Sequence, residues 1–110
     1  MRLWIDDIRP APVGFIWIKT VKEAKAAIRF YERTFSGEDT IVISLDHDAG
    51  EFAQDGKDYI EVLNWLETEG IVDTGYFFHI HSMNLVGAEN MRRIIQKNGW
   101  REIRRLEDWA

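Results

Sequence analysis

An α/β domain built on a mostly parallel sheet is the fold class that this 110-residue sequence predicts, and three observations predict it. Short apolar runs alternate with single amphipathic stretches of helical period. Each run breaks off in polar or charged residues. The helical stretches carry their own start and stop signals. Strands alternating with single helices close into parallel sheets with right-handed crossovers.

Met1–Ile5 reads as a buried strand ended by Asp6 and Asp7, and Pro10 and Pro12 mark the loop that follows. Phe15–Lys19 is a second strand, rich in aromatic and β-branched residues. The connection between them, Ile8–Gly14, is shorter than a normal parallel crossover. The two strands are therefore either parallel, with a loop that climbs over the sheet, or not adjacent. Thr20 and Glu23 have the spacing of a capping box, and the helix after them places Val21, Ala24, Ala27, Ile28 and Tyr31 on one face. Ser36-Gly37-Glu38-Asp39 is a turn, and Thr40–Leu45 is a central strand apolar enough to be covered on both faces.

Ala49–Asp55 reads as an irregular polar loop. A helix is expected from Gly56 or Lys57 to about Glu69, with Tyr59, Val62, Leu63 and Leu66 inward and Gly70 as its stop. Tyr76–His81 is the next strand, and Ser82–Val86 a loop. A helix over Gly87–Asn98 turns Met91, Ile94 and Ile95 inward, and Trp100–Leu106 is a last edge strand. The whole chain, 1–110, reads as one domain.

Composition excludes several function classes. Without cysteine there are no disulfides and no thiolate metal sites. No basic-then-apolar start and no stretch of membrane-spanning length is present, so the expectation is a soluble cytoplasmic protein. A net charge of −5 argues against broad, non-specific binding to nucleic acid, non-specific DNA binding included. The charge is uneven: residues 1–91 carry 8 basic and 16 acidic groups, and residues 92–110 carry 6 and 3. The basic part, Arg92, Arg93, Lys97, Arg101, Arg104 and Arg105, is either a solvated helix face or a cationic rim for a phosphorylated ligand.

The chemistry-bearing residues gather at strand ends, where ligands of open α/β sheets bind. Asp6, Asp7 and Asp46 end two strands. Carboxylates crowded at one point repel, and a hard cation such as Mg²⁺ relieves them. In a regular strand Asp6 and Asp7 point to opposite faces, so they share a site only if Asp7 already lies in the loop. His47 sits between Asp46 and Asp48. His79 and His81 are two apart, hence on one face of a regular strand. Imidazoles at such positions move protons, bind metal or simply bond backbone carbonyls. Ser82 and Asn84 stand just before a helix, where they serve either as caps or as phosphate ligands. No Walker, dinucleotide or serine-hydrolase pattern is present.

Leu3-Trp4-Ile5-Asp6-Asp7, then Ile43-Ser44-Leu45-Asp46, then Asp55-Gly56 resembles a receiver domain of two-component signalling. The resemblance implies a three-layer, flavodoxin-like fold, here with the first helix reduced to a loop. It also implies Mg²⁺ held by Asp6, Asp7 and Asp46, with Asp46 as phosphoacceptor. The receiver lysine after the last strand is not evident. His47 and the run His79-Ile80-His81-Ser82-Met83-Asn84 depart from ordinary receivers and are similar to a divergent branch, the cyclic-phosphate processing receiver-like domains. That resemblance implies catalytic roles for His47, His79, His81, Ser82 and Asn84. It implies a cyclic or terminal phosphate of a small molecule or an RNA end as ligand, in an RNA-repair setting. The expected function is thus a metal-assisted phosphoesterase. Its rivals are a phosphoacceptor module and an interaction domain with a vestigial site.

Overall fold

Strands β1 (Arg2–Ile5), β2 (Ile16–Ile18), β3 (Ile41–Leu45), β4 (Tyr76–Ile80) and β5 (Arg101–Glu102) form one parallel sheet in the order β2-β1-β3-β4-β5. Helices α1 (Val21–Thr34), α2 (Ile60–Glu69) and α3 (Leu85–Lys97) connect them. The computed structural model describes residues 1–35 and 39–109, so most of the turn expected at Ser36–Asp39 lies outside the described residues. The order is the flavodoxin-like one, and the α/β expectation holds. Among the described residues no helix is long and apolar enough to cross a membrane.

β1 and β2 are adjacent and parallel, with Leu3 opposite Ile16 and Ile5 opposite Ile18. Two indoles tie down the short loop between them. Trp4 Nε1 donates to the Arg9 carbonyl (2.9 Å) and Trp17 Nε1 to the Asp6 carbonyl (2.8 Å). Phe15 at the loop's end stands edge-on to Trp4. The loop therefore covers the sheet where a first helix is missing.

α1 starts as expected. The Thr20 hydroxyl accepts from the Glu23 N–H (2.9 Å), and the Glu23 carboxylate accepts from the Thr20 N–H (3.1 Å), a reciprocal cap typically worth ~1 kcal/mol. α2 starts later than expected. The Asp58 carboxylate accepts from the Ala49 N–H and the Tyr59 N–H donates to the His47 carbonyl, so residues 58–59 are held at the end of β3. Gly50–Asp55 forms a 3-10 helix rather than an irregular loop. α3 starts two residues early because Asn84 accepts from the Gly87 N–H (2.9 Å) and caps it. β5 shrinks to two residues, with β4 on one side only, and a 3-10 helix at Leu106–Trp109 follows.

Leu3, Ile5, Ile43, Leu45 and Phe78 on one face of the sheet share a core with Ala24 and Ile28 of α1, Val62 and Leu66 of α2, and Met91 and Ile95 of α3. The alternate positions carry a different row. Trp4, Ser44 and His79 are in register across β1, β3 and β4. One step further along the same face come Asp6, Asp46 and His81.

Candidate active site

Bonds that continue the sheet ladder past the strand ends bring these last three residues together. Asp6 N donates to Ile18 O (3.0 Å), Asp46 N to Ile5 O (2.8 Å) and His81 N to Leu45 O (2.9 Å). Asp7 joins from the start of the loop, and ligand oxygens of Asp6, Asp7 and Asp46 lie within 4.8 Å of one another. Gly50 makes room for it: a Cβ there would fall 2.5 Å from Asp7 Oδ2, and φ is +57°.

The three carboxyls are not equivalent. Burial pushes the Asp6 carboxyl up, but N–H groups of Arg9 and Ile8 (both 2.9 Å) and the His81 ring outweigh it, and the net shift is down. Asp7 is pushed up by burial and by the charges of Asp6 and Asp46. Asp46 is also pushed up, by burial and by Asp6, against opposing bonds from the His47 N–H and the Ser82 hydroxyl. Arg9 is the cation at this cluster, with Nε 3.2 Å from Asp6, Nη2 3.9 Å from Asp46, and a bond to the His81 carbonyl (3.1 Å).

Asp6 also begins a chain of four groups. His81 Nε2 is 3.0 Å from Asp6 Oδ2, and Ser44 Oγ is 2.8 Å from His81 Nδ1 and 2.7 Å from His79 Nδ1. Burial holds both imidazoles below the ordinary histidine range, His81 down to about 4, so both are neutral at pH 7. One arrangement of protons then satisfies every bond. His81 donates through Nε2–H to the ionised Asp6 and accepts at Nδ1 from the Ser44 hydroxyl, whose oxygen accepts from His79 Nδ1–H. The His81 ring also stacks on Trp4, with centroids 3.7 Å apart and planes 3° from parallel.

Burial of His81 makes stability depend on pH. The unfolded His81 titrates near 6.5 and the folded one near 4, so between these values the unfolded chain binds the extra proton. Without divalent cations, stability falls as pH drops from about 6.5 towards 4, by about 3 kcal/mol for this group. Urea midpoints at pH 7 and 5 measure it. His81→Gln should flatten the slope relative to the parent, and an equal slope in both contradicts the assignment.

His47 follows Asp46 and donates its backbone N–H to Asp46 Oδ1 (2.8 Å). Its Nδ1 is 2.8 Å from Asp48 Oδ1, and Asn84 Nδ2 approaches the same Nδ1 at 3.5 Å and both Asp48 oxygens at 3.4 Å. The ring lies against the backbone of α3 at Gly87, where a Cβ would fall 2.4 Å from His47 Cγ. Alanine normally stabilises a helix interior by about 1 kcal/mol over glycine. Gly87→Ala is expected to reverse that sign and cost about 1–3 kcal/mol in urea unfolding, because the imidazole or the helix must move.

Of the residues singled out from sequence, Asp6, Asp7, Asp46, His81 and Ser82 come together, and His47 and Asn84 form an adjoining group with Asp48. Ser82 bonds Asp46 and accepts from the Asn84 N–H (3.0 Å). His79 stands one row back and reaches the acids only through Ser44 and His81. The sequence does not by itself point to Arg9, to Ser44 or to the packing of Gly87 against the His47 ring. Ser44 had a signal, being a lone hydroxyl in an otherwise apolar strand that must find a partner. Arg9 had a fainter one, a cation two residues past an acid pair. The basic C-terminal stretch is largely neutralised: Arg92 and Arg104 pair with Glu102, Arg93 with Glu89 and Lys97 with Glu67.

Residues 1–97 match the model of the cyclic-phosphate processing receiver domain. The chain belongs to this family. No curated protein and no solved structure matches it. In this cyclic-phosphate processing receiver domain the acid cluster stands at the carboxyl end of the parallel sheet, the usual place for ligands in this architecture. The donor set suits a hard divalent cation such as Mg²⁺: three carboxylates, two of them pushed up by burial and by their neighbours' charge.

Proposed function

We propose that this domain hydrolyses a 2′,3′-cyclic phosphate to a phosphomonoester, with Mg²⁺ held by Asp6, Asp7 and Asp46. The observation that carries this reading is the acid cluster flanked by two differently wired histidines. When bound, the cation supplies Lewis-acid neutralisation of phosphate charge. The chain's own residues do the rest. Asp48 accepts from His47 Nδ1–H, which leaves the Nε2 lone pair to take a proton from water. The water oxygen bonds to phosphorus, one ribose P–O bond breaks, and the released oxygen takes a proton from solvent. Arg9 meets the charge on the phosphoryl oxygens, and Asn84 at the α3 cap orients them. His81 has both nitrogens engaged, so it positions Asp6 rather than touching substrate.

The test is ³¹P NMR of 2′,3′-cyclic UMP with the protein and Mg²⁺ or Mn²⁺. Conversion to a monoester supports the reading, and an unchanged spectrum with either cation overturns it. Incubation with a small phosphodonor separates the rival. Incorporation that Asp46→Asn removes, without ring opening, identifies Asp46 as a phosphoacceptor instead.

A further inference from the structure

Helix α1 carries Lys22, Lys25, Arg29 and Arg33 at three- and four-residue spacings, which sets them in one line along the helix. Its buried residues, Val21, Ala24, Ile28 and Tyr31, form the adjoining, core-facing side. The line spans about 16 Å at 1.5 Å per residue. Lys57 stands beside its first half, held at φ +71°. None of these five cations makes an ion pair among the described residues, unlike Arg92, Arg93, Lys97 and Arg104 near the C-terminus.

Trp65 of α2 divides the surface beside this line into two clefts. One, of about 390 Å³, is bordered by Lys25, Lys57 and Trp65, and the other, of about 310 Å³, by Arg29, Arg33 and Trp65. Lys25 Nζ is 5.8 Å and Arg29 Cζ 5.1 Å from the Trp65 ring centroid. Three acids also line these clefts, Glu61 the first and Glu32 and Glu69 the second; Glu61 accepts from Asn64 and Glu32 from the Tyr76 hydroxyl, and among the described residues none of the three forms an ion pair with a cation of the line. The stripe also leads to the pocket. Lys22 lies at the end of α1 where Val21 meets Gly56, and the 3-10 helix that begins at Gly50 against Asp7 ends there.

We propose that this stripe is a track for single-stranded RNA, whose phosphates follow the α1 cations, with a base against Trp65, while its 3′ end enters the acidic pocket. Cations along a groove with an aromatic platform are the chemistry of sequence-tolerant strand binding. A 2′,3′-cyclic phosphate requires a 2′-hydroxyl, which selects RNA over DNA. The inference deepens the proposed function and rests on it for the position of the 3′ end, while strand binding itself is measured without turnover.

Fluorescence anisotropy of a labelled oligo(U) in EDTA tests it, comparing the parent with K25E/R29E/R33E. The expected result is a loss of affinity of about tenfold or more. The log–log salt slope should shrink by about 2, at 0.7 for each phosphate that the variant no longer neutralises. With Mg²⁺, kcat/KM for an oligomer ending in a cyclic phosphate should fall in proportion, while that for 2′,3′-cyclic UMP stays within about twofold, since the pocket itself is unaltered. Equal affinity and slope in parent and variant overturn the track, as does displacement of the RNA by polyglutamate at equal charge. A parent that binds oligo(U) through these cations but opens no cyclic phosphate supports the track and overturns the proposed function.

Discussion

On the proposed function, replacing His47 by Gln is expected to lower kcat for a 2′,3′-cyclic nucleotide by about 10²–10⁴-fold, the usual loss when a general base is removed. The expectation rests on how differently the three histidines are wired. His81 spends one nitrogen on Asp6 and the other on Ser44, and His79 bonds the same hydroxyl from a row behind. His47 has Nδ1 fixed by Asp48, and its side chain is 15% exposed. On the proposed function its Nε2, which makes no hydrogen bond among the described residues, is the nitrogen that serves as base. Glutamine is close in volume and keeps the contact with Gly87, so folding and KM should change little. Asp48→Asn should cost less, since it loosens the imidazole without removing it. If His47→Gln turns over at the parent rate, another group takes the proton.

Asp46→Asn is expected to abolish the Mg²⁺-dependent rise in Tm while raising the Tm of the metal-free protein by several degrees. The sign follows from the shifts. Folded Asp7 and Asp46 titrate above the ordinary carboxylate range, so the folded state binds their protons more readily than the unfolded chain. The stabilisation that protonation provides is present at low pH and lost as pH rises through the folded values. At neutral pH the crowded charges oppose folding, and removing one relieves its neighbours. In the parent, on the proposed function, Mg²⁺ would provide the relief, about 2.7 kcal/mol at a hundredfold excess over Kd. Differential scanning fluorimetry at pH 7, with Mg²⁺ and with EDTA, separates the two effects. A Mg²⁺ response that survives in Asp46→Asn removes Asp46 from the donor set.

The fold was legible because each strand is a short apolar run with an abrupt end and each helix has a cap or a glycine stop. The same abruptness exposed the acids and histidines as strand-end residues. Boundaries failed where side chains from distant positions decided them, as Asp58 does for α2 by bonding the Ala49 N–H. Roles within the site failed for a related reason. Spacing puts His79 and His81 on one face but cannot tell which of them meets Asp6, because that depends on β4 lying beside β3 and on Ser44 between the two rings. Arg9 was illegible because an irregular loop fixes its direction. The cationic line on α1 was present in the sequence as a helical spacing, yet the numerical excess of basic residues falls in 92–110, where the structure pairs most of them.

The row formed by Trp4, Ser44 and His79 has a consequence for how the chain finds its pairing. Side chains alternate across a sheet, so a slip of β3 by one residue would turn Ser44 and Asp46 into the helix-packed core and Ile43 and Leu45 out of it. Buried polar atoms without partners cost about 1–3 kcal/mol each, more when charged. The hydroxyl that joins two imidazoles therefore acts as a proofreading device during folding: only one alignment of the central strands satisfies it, and that alignment also assembles the acid cluster.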